Sequence, residues 1–282
     1  MAYAFPSAGA LDYALCNYGA SQLLFRGPKR DTDRVFISVL GGSECFGRFV
    51  KYPFPDLIQK ELGLPVANFG LQNAGPDVYL NDAWVLDIAA RAAVKVVQIF
   101  GVQNISNRYY TVHPRRNDRF LAARPELRAL YPNIDFTEFH FTRHLLHALQ
   151  HASPTNFAKV VQGLREDWVH HMRALLARLG RQTLLLWVGD AMPPPAFAPI
   201  DLHLDQFLVD SAMIDTISAQ ASGLVYAIPS PEAQAAGLEG MVFGPTEMEI
   251  AANLVGPYVH RDICTALLPH IEDHLSAKAR AG

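Results

Sequence analysis

Apolar residues fall along this chain in two patterns. Five short runs are almost continuously apolar: 34–41 (RVFISVLG), 64–70 (LPVANFG), 94–101 (VKVVQIFG), 183–189 (TLLLWVG) and 223–229 (GLVYAIP). Each ends at Gly or Pro, and most are rich in Val, Ile and aromatics. Unbroken apolarity, rather than alternation, predicts strands buried on both faces and therefore a parallel sheet. Between the runs the period becomes helical. FPDLIQKELG (54–63) ends on Gly63, as a helix terminus would. DVYLNDAWVLDIAARAA (77–93) reads as one helix, capped by Asp77 and apolar along Leu80, Trp84 and Ile88. DQFLVDSAMIDTISAQAS (205–222) reads as the helix before the fifth strand. Strand and helix in alternation predict a doubly wound α/β sheet, with active groups in loops at the carboxyl ends of the strands.

The interval from about 105 to 181 offers no such run and reads as a helical insertion over the sheet, a candidate lid within one domain spanning 1–282. Two helices are expected there. The second, from 153, opens on Ser153-Pro154, a cap followed by proline at the first helical position. The segment 259–282 reads as one amphipathic helix with an interruption at Pro269, and 191–200 (AMPPPAFAPI) as a proline-rich loop.

Charge and composition narrow the class. A net charge of −3 gives no basic surface for nucleic acid or an anionic membrane. The longest apolar runs are too short to cross a bilayer. The first basic residue after the start is Arg26, which argues against a secretory signal, so a cytoplasmic location is expected. Cys16, Cys45 and Cys264 have neither disulfide-framework nor metal spacing. No Gly-rich phosphate cradle is present, so no cofactor is implied.

Candidate chemistry gathers after the first three strands. Ser43 follows Gly41-Gly42 and precedes Gly47, so it fits a tight turn into a helix, either as a nucleophile or as a cap. Gly70 ends the second run, where a glycine lets a backbone N–H approach a ligand oxygen. Gln103, Asn104 and Asn107 follow the third, and an amide there could serve an oxyanion or merely satisfy the loop. Cys45 is an alternative nucleophile, though a buried thiol is the commoner role. RYYTVHPRRNDRF (108–120) carries Arg108, Arg115, Arg116 and Arg119 with His113. Arginine forks suit carboxylate, phosphate or sulfate, so Arg115, Arg116, Arg119 and His113 are candidate substrate contacts. His140, His144, His147 and His151 share a helix face, but the carboxylate of a helix-borne zinc site is missing, so no metal is expected.

These loops resemble the SGNH (GDSL-type) hydrolase superfamily over roughly 34 to the C-terminal helix. Its first block, Gly-Asp-Ser, is matched by Gly41-Gly42-Ser43, with Gly42 in place of the Asp. Its second-block glycine corresponds to Gly70. Its Gly-x-Asn-Asp is matched loosely by Gly101-Val102-Gln103-Asn104, one residue out of register. In its fourth block, Asp-x-x-His before an Ile-Ala helix, Ile250-Ala251 fits and Glu239 stands near the Asp, but 241–243 holds Met, Val and Phe where the histidine belongs.

The resemblance implies a three-layer α/β sandwich with a flavodoxin-like parallel sheet of about five strands. It also implies a serine esterase or O-acyl hydrolase or transferase acting on a small-molecule or carbohydrate ester. Ser43 would attack, Ser43, Gly70 and Asn104 would hold the oxyanion, and His260 would be the base, with His113 its rival. The competing expectation is a non-catalytic binding protein of the same fold for an anionic or sugar ligand. A group transferase holding a phosphate- or sulfate-bearing donor ranks last.

Overall fold

The structure, a computed structural model, describes residues 11–196, 198–202 and 208–281. All five apolar runs become strands of one sheet: β1 (Ile37–Leu40), β2 (Val66–Asn68), β3 (Val94–Gln98), β6 (Thr183–Val188) and β7 (Gly223–Ala227). Their order is β2-β1-β3-β6-β7, with every neighbouring pair parallel. This is the 2-1-3-4-5 flavodoxin-like order, so the fold class read from the sequence is what forms.

Alternate residues of each strand serve two cores. Ile37, Val39, Val94, Val96, Leu184 and Leu186 face one side, with α2 (Phe54–Leu62), α9 (Pro231–Ala236) and α11 (Pro257–Ala281). Leu40, Val97, Leu185 and Trp187 face the other, with α3 (Pro76–Leu80), α4 (Ala83–Ala90), α7 (Pro154–Leu179) and α8 (Ser211–Ser218). Both faces being dry is why the runs are apolar without alternation. Lys95 interrupts β3 without leaving a buried charge stranded, because its Nζ reaches the Arg181 carbonyl at 2.7 Å.

Three expectations are corrected. The interval 105–181 contains strands: β4 (Tyr110–His113) and β5 (Arg116–Ala123) form an antiparallel hairpin with register shifts around Val112. Its arginines disguised it as loop. The interval is not a lid either. After α5 (Pro125–Leu130) and α6 (Thr142–Ala152), α7 runs as the crossover into β6. Trp168, Leu164 and Met172 of α7 are buried in the sheet's core, and the Trp168 indole N–H donates to Phe100 C=O at 3.1 Å. The Ser153 cap is as expected, accepting the Asn156 N–H. Finally, 77–93 breaks in two. Asp82, not Asp77, caps the longer piece by accepting the Val85 N–H, and this turns Trp84 outward to 57% exposure. Pro269 sits inside α11, which continues past it. The first part of 205–222 lies outside the described residues through 207.

Candidate functional site

The turn from β1 into α1 (Ser43–Phe46) presses on the end of β2. A side-chain carbon at Gly70 would stand 2.5 Å from the Phe46 nitrogen and 2.6 Å from the Cys45 carbonyl carbon, so only glycine fits. Gly70 is thus required for packing, and its N–H is taken by Asn68 Oδ1 at 2.8 Å. Asn68 Nδ2 in turn reaches the Cys45 carbonyl at 2.8 Å.

Gln98, at the end of β3, organises the same turn from the other side. Its Oε1 accepts the Gly42 N–H at 2.9 Å and the Cys45 thiol at 3.2 Å, while its Nε2 donates to Glu44 Oε2 at 2.6 Å. Cys45 is fully buried, and that burial pushes its thiol well above the ordinary range, with Glu44 adding to the shift. A thiol so held is not a nucleophile.

Ser43 meets Asn73. Its Oγ accepts the Asn73 N–H at 3.1 Å and donates to Asn73 Oδ1 at 3.4 Å. Asn73 holds φ at 53°, a left-handed conformation that asparagine tolerates better than most residues. Its side-chain amide donates to Asp118 Oδ2 at 3.3 Å, and its carbonyl accepts from Asn104 Nδ2 at 2.9 Å. Asn104 Oδ1 accepts the Thr142 hydroxyl at 2.9 Å. Burial raises the Asp118 carboxyl, with Asn73 and Arg119 working against that rise. The structure therefore brings Ser43 and Asn104 together through Asn73. Asn73, Gln98, Glu44, Asp118 and Thr142 are the members the sequence reading missed. Gln98 had left a signal, as an amide closing an otherwise apolar strand.

His260 lies elsewhere, and its expected role as base is corrected. It is fully buried on α11, stacked with Phe54, and its Nδ1 accepts the Phe54 N–H at 3.1 Å. Burial, with the Arg26 charge adding, pushes it down to about 3. The segment expected to carry a histidine is sewn to the loop after α1: the Val242 N–H donates to Phe49 C=O at 2.8 Å, and Arg48 pairs with Glu247 at 2.9 Å. Glu239 accepts the Tyr258 hydroxyl.

The arginines do not form one cluster. Arg108 is held by Asp167 and Glu166, and Arg119 lies 4.1 Å from the Phe141 ring centroid. Arg115 and Arg116 flank the exposed hairpin tip, where His113 Nδ1 accepts the Arg115 N–H at 3.1 Å. Along the histidine-bearing helix, His144 packs against Phe139. Among the described residues no group of three or more His, Cys, Asp or Glu is placed to hold a metal ion. None of the described helices is long and apolar enough to cross a membrane.

A cleft of about 340 Å³ opens beside Glu44 at the carboxyl ends of β6 and β7. Glu44, Arg143, Asp190, Gln234 and Asn253 give it polar walls. Open α/β sheets bind ligands outside the carboxyl ends of their strands at the switch point, which in this order lies between β1 and β3.

The family described as "Domain of unknown function (DUF6473)" matches residues 1–275. The chain belongs to this family. No curated protein matches it. Solved structures of similar layout include a protein from Lactobacillus plantarum, at 10% identity and TM-score 0.38, covering 85% of this chain and 97% of that one. A carbohydrate esterase family 2 enzyme with a carbohydrate-binding domain, from Corynascus thermopiles (Myceliophthora fergusii), is similar at 11% identity and TM-score 0.39, covering 89% and 69%. A gut microbial diltiazem-metabolizing enzyme is similar at 14% identity and TM-score 0.34, covering 87% and 48%. Likeness at this level gives no residue of the DUF6473 chain a role.

Proposed function

We propose that the carboxyl ends of the sheet bind a polar small molecule, sugar-like and charged, and that Ser43 contacts it without being acylated. The observation that carries this reading is the environment of Ser43: among the described residues its hydroxyl exchanges hydrogen bonds with the Asn73 amides and with no basic group. A serine attacks an acyl carbon effectively only when a neighbour removes its proton. Of the amide donors expected for an oxyanion, the Gly70 N–H is taken by Asn68 and one Asn104 side-chain N–H by the Asn73 carbonyl. In the cleft, Gln234 and Asn253 offer amide donors and acceptors that suit hydroxyls, beside the charged Arg143, Glu44 and Asp190 of its walls.

A second reading is acyl transfer of the SGNH type on a carbohydrate ester. It is favoured by the place of Ser43, where β1 turns into α1 within one hydrogen-bond chain of Asn104. Ser43 Oγ would bond to the acyl carbon as the ester C–O bond breaks. The serine proton would pass through a base to the departing alcohol, and water would then release the acid. Among the described histidines His113 would be the base, since its hairpin also brings Asp118 to Asn73.

Hydrolysis of p-nitrophenyl acetate by wild type, Ser43→Ala and His113→Ala separates the two. Binding without acylation predicts the same rate for wild type and Ser43→Ala. A rate that disappears in Ser43→Ala and His113→Ala, with both still folded, replaces it with the esterase.

A further inference from the structure

A second cavity, of about 350 Å³, lies beside the hairpin tip and shares no lining residue with the cleft at Glu44. Trp84, Arg115, Asn81, Val78 and Leu23 are among its walls. Trp84 is 57% exposed, unusual for a side chain of this size, yet it is not loose. Its indole lies against Gly19 so closely that a side-chain carbon there would be 2.9 Å from Trp84 Cε3. The start of α4 below it is fixed by Asp82, which accepts the Ser21 hydroxyl at 2.6 Å and the Val85 N–H at 3.1 Å. Each Asp82 oxygen thereby accepts one hydrogen bond within the protein. In the same lining, the Arg115 guanidinium has no hydrogen bond or ion pair among the described residues. An exposed indole packed on Gly19 and a guanidinium with no partner among the described residues thus line one groove.

We propose that this groove binds an acidic sugar, the C–H face of the pyranose on Trp84 and its carboxylate on Arg115. An indole offers a flat apolar face that a sugar's axial C–H bonds can cover, and the guanidinium matches a carboxylate in bidentate fashion. The Asn81 amide, at the exposed edge, supplies a donor and an acceptor for ring hydroxyls. A nucleotide would stack its base on the same indole, so adenosine monophosphate is the comparison ligand that separates the two. The proposal is independent of whether Ser43 turns over an ester.

The test is indole fluorescence during titration with glucuronate, with glucose and adenosine monophosphate as comparison ligands. Trp168 and Trp187 are buried, so a surface ligand reports through Trp84. The expected result is a saturable change with glucuronate at a dissociation constant on the order of 1 mM, about what one small ligand on an open surface achieves. Glucose should bind at least about tenfold more weakly, and Arg115→Ala should weaken glucuronate by a similar factor. Arg115 is exposed, so that variant should melt as wild type does. The proposal is overturned by an unsaturable response, by equal affinity for glucose, by indifference to Arg115→Ala, or by adenosine monophosphate binding more tightly than glucuronate. Ester hydrolysis, measured in parallel, reads the Ser43 site, so either proposal fails without the other.

Discussion

Single amides shape this site more than charges do. Gln98 satisfies Gly42, Cys45 and Glu44 together, and Asn73 links Ser43, Asn104 and Asp118. Both depend on side chains that donate and accept at once, which a carboxylate or a hydrocarbon of the same size does not. Gln98→Leu would leave the Gly42 N–H and Cys45 thiol buried without partners. The expected loss is about 1–3 kcal/mol of unfolding free energy, measured by urea titration, because unsatisfied buried groups forfeit their hydration. An unchanged urea midpoint would mean the turn into α1 is held by packing alone. This dependence was hard to read from the chain, where Asn73 is one polar residue in a polar loop and its conformation gives no outward sign.

The elements divide by how directly their pattern reflects their surroundings. The five sheet strands were legible because burial on two faces leaves one kind of sequence, a short continuous apolar run. The β4–β5 hairpin was not, because its buried positions Tyr110, Val112, Asn117, Phe120 and Ala123 are spread among arginines and its register shifts break the alternation. The break between α3 and α4 was equally hidden, since Asp82 caps α4 within a segment whose apolar spacing continues through it. Of the candidate site, the strand-end placement of Ser43 was legible. The fate of His260 was not, because burial against Phe54 depends on how α2 and α11 pack. The hairpin also has a structural task. Asn117 Oδ1 accepts the N–H groups of Gly75 and Val78, both at 3.0 Å, and so fixes the start of α3. Asn117→Ala should lower stability by about 1–3 kcal/mol through those two stranded donors. Hydrogen exchange should localise the loss to residues 75–80; uniform loss across the sheet would contradict this role.

At the scale of the whole molecule, two histidines give stability opposite dependences on pH. His260 is kept neutral down to about 3 by burial, and then by the Arg26 charge, whereas an unfolded histidine titrates near ~6.5. The unfolded chain therefore binds the extra proton in that window. Stability from His260 is complete above ~6.5 and falls as pH drops towards 3, by up to ~1.4 kcal/mol per pH unit. His171 behaves in reverse. Burial lowers it, but its hydrogen bond and ion pair with Asp77, helped by Asp167, outweigh that and leave it raised. Its contribution is complete below ~6.5 and is lost as pH rises through the raised value. His260→Asn should thus flatten the acid side of a urea-midpoint profile, and His171→Gln the side above ~6.5. Flattening on the opposite sides would contradict both assignments. Asp77 also accepts the Ser106 N–H at 2.7 Å, so the His171 pair anchors the loop that carries Asn104.

The central claim, that Ser43 contacts a ligand without activation as a nucleophile, is tested most directly by intact-mass spectrometry after exposure to a fluorophosphonate. Such a reagent phosphorylates an activated serine and leaves an unassisted one unmodified. The account predicts an unchanged mass for the folded protein under conditions that fully label a serine hydrolase in the same tube. A one-to-one adduct on the peptide containing Ser43, absent from Ser43→Ala, would contradict it and establish the acyl-transfer reading instead.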